Sequence, residues 1–291
     1  MKALLFNGEI RVDEVPLPPI YKDHVLVEVI AGVSNGIENA IYKGYLWINP
    51  GTILGCEGVG KVKHVGVDVE HDLIGKTVVP KYDNILKIPG IHIHGFLAEF
   101  IALPVKSIEV IGDNTDVKLA ALARSISIAV EVAERASNSK LLIMGSGFTG
   151  KLASLLASKS ALEVYVLSEK PIQELKDHVT SIIKPSSKVI YNYKWDIVFI
   201  SSLNPMYQLI VQKGVNVEEL FIHPLIVAAG ETIKPGRYKV EVAKGVDAPR
   251  AVNKAKEYSW FIEKNASLVT SLDLAVPSIK PKTIWLRKLK S

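Results

Sequence analysis

Residues 140–170 read KLLIMGSGFTGKLASLLASKSALEVYVLSEK. A run (140–144) that is apolar after Lys140 leads into a glycine turn, then a stretch rich in Ala and Leu, then a second run (163–167) that is apolar after Glu163. That succession predicts strand, turn, helix and strand, a βαβ unit whose strands are apolar on both faces, as in a buried parallel sheet. Gly145, Gly147 and Gly150 have the spacing G-x-G-x-x-G. In that pattern the first glycine makes the tight turn, the second lets a pyrophosphate approach the backbone, and the third lets helix and strand pack closely. With Ser146, Phe148 and Thr149 they form a candidate phosphate loop. There the free N–H groups and the dipole of the helix favour an anion.

The end of the second run bears on which dinucleotide fits. Dinucleotide sites for NAD place an acid there to accept from the adenosine ribose. Here the run ends in Ser168, followed by Glu169 and Lys170. Serine at the acid's place and a lysine beside it suit the 2′-phosphate of NADP, whereas Glu169 offers the ribose of NAD an acceptor. NADP is the expected cofactor, ahead of NAD.

Further apolar strands are predicted at 195–202, 220–229 and 237–243, a helix at 249–263, and a closing strand in TIWLRKLK (283–290). On the other side, residues 2–108 are β-rich, with Val- and Ile-rich runs such as HVLVEVIAGV (24–33) and EGVGKVKHVGVDV (57–69) broken by Gly58, Gly60 and Gly66. From Asp116, a plausible cap, to Ala136 the period becomes helical. The fold class is therefore α/β with two domains, a β-barrel followed by a doubly wound sheet.

With 291 residues the chain has room for two cores. Its net charge of +5 is spread over scattered lysines rather than an aromatic-interleaved basic tract, which argues against nucleic acid as a partner. No apolar run approaches the roughly 18 residues of a membrane span, and the opening MKALLFNGEIRVDEV reads as strand rather than signal peptide. A single cysteine fits a reducing cytoplasm. Few glutamines (Gln173, Gln208, Gln212) among abundant Lys, Glu, Ile and Val hint at a thermophilic source.

Beyond the glycine turn, MKALLF (1–6), VDEVPLPP (12–19), DHVLVEVIAGVSNGIENAIYKG (23–44), PGTILGCEGVGKVKHVGVDV (50–69), LIGKTVVP (73–80), GFLAEFIALP (95–104) and LAALARSISIAVEVA (119–133) occur in that order. Together with GSGFTG (145–150) they resemble the medium-chain dehydrogenase/reductases, the alcohol and glucose dehydrogenase superfamily. The resemblance is good to about residue 200 and fades beyond it. It implies a GroES-like catalytic domain (1–125, joined by the tail 264–291), a Rossmann domain (126–263) and hydride transfer across the cleft between them. It also implies a small-molecule substrate and a homodimer or homotetramer.

The family's zinc enzymes hold their catalytic metal with a first-loop cysteine, a histidine before the motif glutamate Glu57, and a cysteine or acid in the connecting helix. The matching positions here are Ser34, Cys56 and Arg124. Serine is a poor zinc ligand and a protonated guanidinium cannot be one. The relay hydroxyl and histidine fall at Gly36 and Asn39, and PKYDNILKIPGIHIHG (80–95) lacks the four cysteines of a structural zinc lobe. Zinc is therefore not expected, and the His92-x-His94 pair is read as surface residues on one face of a strand.

The resemblance then implies a zinc-free oxidoreductase acting on a carbonyl, alcohol or activated alkene, with Ser34, Asn39, Cys56, Glu57 and Arg124 as candidate catalytic residues. Arg124 is expected either to pair with Glu57, directly or through Ser34, or to face solvent on an amphipathic helix. Tyr45 and Trp47 either line the substrate site or pack beneath their loop. Two alternatives stand beside this reading, a non-catalytic nucleotide-binding protein and a zinc alcohol or polyol dehydrogenase with unorthodox ligands.

Overall fold

The computed structural model describes residues 1–82, 84–230 and 236–288. The chain divides into two compact units, one of residues 1–124 with 247–291 and one of residues 125–246.

The first unit opens with a small antiparallel sheet of β1 (Lys2–Phe6), β2 (Ile10–Glu14) and β4 (Thr52–Ile53), with β1 in the centre. Its larger sheet is built on β3 (His24–Ser34), whose alternation buries Val25, Val27, Val29, Ala31 and Val33. β3 pairs along its length with β5 (Glu57–Val65), which continues to β6 (Thr77–Pro80) and β8 (Ile108–Ile111). Its first half also pairs with β7 (Phe100–Pro104). Gly58 belongs to this packing, because a Cβ there would lie 2.5 Å from the Phe96 ring. Between β3 and β4, α1 (Gly36–Tyr42) starts from a capping box. The Asn35 side chain accepts from the helix start while Glu38 accepts from the Asn35 N–H. α2 (Val117–Ala121) is capped by Asp116, as the sequence predicts, and α3 (Ala123–Arg135) carries the chain into the second unit.

In the second unit, β9 (Lys140–Met144), α4 (Phe148–Ala157) and β10 (Glu163–Leu167) form the expected βαβ unit. The chain then adds β11 (Ser181–Ile183), α5 (Val189–Asn192), β12 (Trp195–Ile200), α6 (Pro205–Gln212), β13 (Val217–Ile222), α7 (Pro224–Ala228) and β14 (Lys239–Val242). All pairings are parallel and the strand order is β11-β10-β9-β12-β13-β14. In order of appearance that is 3-2-1-4-5-6, the Rossmann order, with its switch point between β9 and β12. Leu142, Met144, Trp195, Val198, Ile200, Leu220 and Ile222 pack in one core cluster of this unit.

Two expectations are corrected here. The run 220–229 is not one strand: β13 ends at Ile222, where the His223 ring accepts from the Leu225 N–H and Pro224 occupies the first helical turn of α7. Proline lacks the donor a strand ladder needs and its φ suits a helix start. The helical stretch predicted at 249–263 becomes α8 (Ala248–Ala255) and α9 (Ser259–Asn265), and it lies in the first unit, not in the nucleotide domain. The buried stripe Ala248, Ala251, Val252 and Ala255 packs α8 against α2 and β8.

The chain closes with β15 (Ala266–Val269) and β16 (Lys282–Leu286), which joins β3 with Thr283 opposite Ser34 and Ile284 opposite Val33. The tail predicted as a strand is thus β16, and positions 289–290 of that prediction lie outside the described residues. Among the described residues, no helix is long and apolar enough to cross a membrane.

Candidate functional site

The phosphate loop joins β9 to α4 at the switch point of the parallel sheet. Gly145 has φ +123°, a conformation that L side chains rarely adopt. A Cβ on Gly150 would collide with the Gly145 carbonyl and lie 2.5 Å from Ser201 Oγ. A Cβ on Gly147 would meet nothing within 4 Å, and Gly147 caps the ten-residue α4. The backbone therefore lies open at the middle glycine, where the first N–H groups of α4 stand. That geometry fits a dinucleotide's diphosphate. Phe148 and Thr149 are buried at the first turn of α4.

At the tip of β10 the Ser168 N–H donates to the Ile183 carbonyl (3.0 Å). The Ser168 hydroxyl bonds to the Lys170 carbonyl (2.8 Å) and accepts from the Lys170 N–H (3.3 Å). Ser168 is buried in this local turn, and Glu169 and Lys170 are exposed on it.

In the first unit, Ser34, Asn39 and Glu57 each contact the segment 278–282. The Ser34 hydroxyl is bonded to the Ser278 hydroxyl (2.8 Å), and Asn39 Oδ1 accepts from the Ser278 N–H (2.8 Å). Glu57, 1% exposed, forms an ion pair with Lys282, 5% exposed, at the start of β16. Asn35 Nδ2 lies 3.5 Å from the same Glu57 oxygen. Register explains the placement: Glu57 lies opposite Val33 and Val33 opposite Ile284, so Lys282, two residues from Ile284, shares their face of the sheet.

Cys56 meets a different carboxylate. Its thiol is 3.5 Å from Glu38 Oε1, which also accepts from the N–H groups of Gly55 and Cys56 (each 3.3 Å). Burial pushes the Cys56 thiol well above its ordinary value, and the charges of Glu38 and Glu57 push the same way. Burial also raises the Glu38 carboxyl, against the pull of its backbone donors. Arg124, buried at the start of α3, holds its guanidinium 4.7 Å from the Tyr82 ring centre, and the Tyr82 hydroxyl donates to the Cys56 carbonyl (3.0 Å). Burial, then the charge of Glu57, holds the Tyr82 phenol well above its ordinary value.

The donor set does not fit the family's catalytic zinc. Ser34 is engaged by Ser278, and Arg124, a protonated guanidinium with no lone pair to give, stacks on an aromatic ring. Among the described residues, no group of three or more His, Cys, Asp or Glu side chains is placed to hold a metal ion. The His92/His94 pair is not on a strand face. It lies in a turn segment, where His92 Nδ1 accepts from the Ile88 N–H (3.3 Å) and His94 Nδ1 from the Ile53 N–H (3.2 Å). Tyr45 and Trp47 are 82% and 69% exposed, and Trp47 sets its ring edge-on to Phe6 at 4.9 Å.

Four participants escaped the sequence reading: Lys282, Glu38, Ser278 and Ser201. Glu38 had a visible signal, the Asn35-x-x-Glu38 spacing of a capping box. The others take their roles from partners distant in the chain.

The first unit carries a GroES-like domain and the second has the Rossmann strand order. Residues 21–113 match the alcohol dehydrogenase GroES-like domain family. The chain is 28% identical over 175 residues to an uncharacterized zinc-type alcohol dehydrogenase-like protein of Haemophilus influenzae. That match covers 52% of this chain and 50% of the relative, so it spans half of the relative's length.

Solved structures share the fold along nearly the whole chain. Glucose dehydrogenase of Haloferax mediterranei, in complex with NADP, Zn and gluconolactone, is similar with TM-score 0.73 and 17% identity, covering 100% of both chains. Alcohol dehydrogenase TADH of Thermus sp. ATN1 gives TM-score 0.74 at 15% identity, covering 99% of this chain and 100% of its own. A short chain alcohol dehydrogenase of Escherichia coli CFT073 complexed with NADH gives 0.69 at 17% identity, covering 98% and 99%.

Proposed function

We propose that this protein is an NAD(P)(H)-dependent oxidoreductase that moves hydride to or from a carbonyl, alcohol or activated alkene without a catalytic zinc. The observation that carries the reading is the open Gly147 backbone at the N-terminus of α4, at the switch point of a 3-2-1-4-5-6 sheet. The nicotinamide, when bound, supplies or accepts the hydride. The chain's part is to bind and orient: the α4 N–H groups take the diphosphate, and the Ser168–Lys170 turn takes the adenosine end.

NADP is favoured over NAD because Ser168 stands where an acid would accept from the ribose and Lys170 lies exposed beside it. Solved structures of this fold are complexed with NADP or with NADH, which supports a nicotinamide cofactor of either kind.

The zinc-free reading rests on the chemistry of the residues at the metal positions. Ser34, Asn39 and Glu57 each hold a residue of the returning segment 278–282. Positive charge in this region comes from Lys282 and Arg124. A guanidinium stays protonated and is a fixed donor for charge developing on a substrate oxygen, so Arg124 is the candidate stabiliser.

Fluorescence titration with NADPH and NADH, followed by turnover assays on enones, quinones, aldehydes and alcohols, tests the proposal. Saturable binding, tighter for NADPH, with turnover of at least one class supports it. Binding without turnover of any class favours a non-catalytic nucleotide-binding role.

A further inference from the structure

We propose that Ser201 is a positioning residue for the diphosphate, an inference that rests on the dinucleotide reading of the glycine turn. Ser201 follows β12, the neighbour of β9 across the switch point. Its N–H continues the ladder by donating to the Met144 carbonyl (2.9 Å), which brings its side chain over the turn. The hydroxyl donates to the Gly145 carbonyl (3.0 Å), with the Met144 carbonyl at 3.3 Å.

The glycines show how closely this hydroxyl is fitted. A Cβ on Gly145 would lie 2.7 Å from Ser201 Oγ and one on Gly150 2.5 Å from it, while one on Gly147 would meet nothing within 4 Å. The outer two glycines therefore make room for Ser201, and the middle one leaves the backbone open to a ligand. The three have separate uses here.

Planarity of the peptide turns this contact into a positioning device. In a trans peptide the carbonyl and the following N–H point in opposite directions. Pinning the Gly145 carbonyl onto Ser201 therefore fixes the Ser146 N–H on the other side of the turn. An amide held in place before an anion arrives binds it more tightly than one that must be ordered on binding. Ser201 touches no ligand in this account and acts through the Gly145–Ser146 peptide.

The test is Ser201→Ala in the full chain, with the melting temperature measured alongside binding of NADPH, NADH, ADP-ribose and adenosine. Losing one positioning hydrogen bond is expected to raise Kd about tenfold for the dinucleotides and ADP-ribose, which carry a diphosphate. Adenosine, which carries none, should bind as it does to the wild type, with the melting temperature nearly unchanged. Equal affinity of wild type and variant for ADP-ribose overturns the proposal. So does equal weakening of ADP-ribose and adenosine, which would mark a general structural role. Failure of the wild-type protein itself to bind either dinucleotide would instead refute the functional reading on which the proposal stands.

Discussion

Glu57 and Lys282 lie 225 residues apart in sequence and form a buried ion pair between β5 and β16. Ser34 and Asn39 meet Ser278 four residues earlier in the same segment. Ser34 and Asn39, which the sequence resemblance sets at a metal position and a relay position, thus join Glu57 in holding the returning end of the chain to β3, α1 and β5. A buried carboxylate stripped of its ammonium is costly, whereas removing both charges together is far less so.

Lys282→Met should therefore destabilise the protein by about 3 kcal/mol. The double variant Glu57→Gln/Lys282→Met should recover a large part of that loss. Urea denaturation of these three proteins and of Glu57→Gln completes the cycle, and a Lys282→Met protein as stable as the wild type would show that the pair does not hold the segment.

The phosphate loop predicts opposite outcomes for two neighbouring alanines. Gly150→Ala pushes a Cβ into the Gly145 carbonyl and Ser201 and should cost about 2 kcal/mol or more of stability. Gly147 has φ −72° and open space around it, so Gly147→Ala should leave the melting temperature unchanged while weakening dinucleotide binding about tenfold or more. Thermal unfolding and a binding titration on each variant separate the two effects. Equal stability losses would contradict the division of roles.

Alkaline pH should weaken the fold. The Cys56 thiol and the Tyr82 phenol are held well above their ordinary values of 9.0 and 10.0, first by burial and then by neighbouring carboxylates. An acid that ionises less readily folded than unfolded contributes stability that is fully present below its unfolded value. That contribution is lost as the pH rises above it, since the unfolded chain then binds fewer protons. The urea midpoint should accordingly fall as the pH passes 9.0, and Cys56 should resist thiol reagents until the chain is unfolded. A midpoint that stays level into this range, or rapid labelling of the native protein, would count against the buried arrangement.

Cofactor choice should follow the tip of β10. Ser168→Asp restores the acid that accepts from the ribose of NAD and repels a 2′-phosphate, so the ratio of NADPH to NADH affinity should fall about tenfold or more. Lys170→Ala should lower NADPH affinity and spare NADH. Ratios that do not move in either variant would place cofactor selection elsewhere.

What the sequence made legible was local. The glycine turn, its strands 140–144 and 163–167, and the Asp116 cap each depend on residues a few positions apart, and all three are found where the sequence puts them. The misreadings have a common cause in context beyond that range. Amphipathic spacing in 249–263 shows that a helix has a buried face, not which sheet covers it, and α8 packs with β8. Apolar continuity over 220–229 hid a helix start that the His223-Pro224 pair in fact marks. Lys282 drew no notice in the sequence because its partner, Glu57, lies 225 residues away. That serine and arginine stand at Ser34 and Arg124 was readable, but the contacts they make with Ser278 and Tyr82 were not.

Counting zinc tests most directly whether Ser34, Asn39 and Glu57 hold the chain's C-terminal segment in place of a metal ion. Protein produced in zinc-supplemented medium, exchanged into metal-free buffer and analysed by plasma mass spectrometry, should contain zinc only at the level of the buffer blank. A stoichiometric ion that is lost when Cys56 is replaced by alanine would contradict the account.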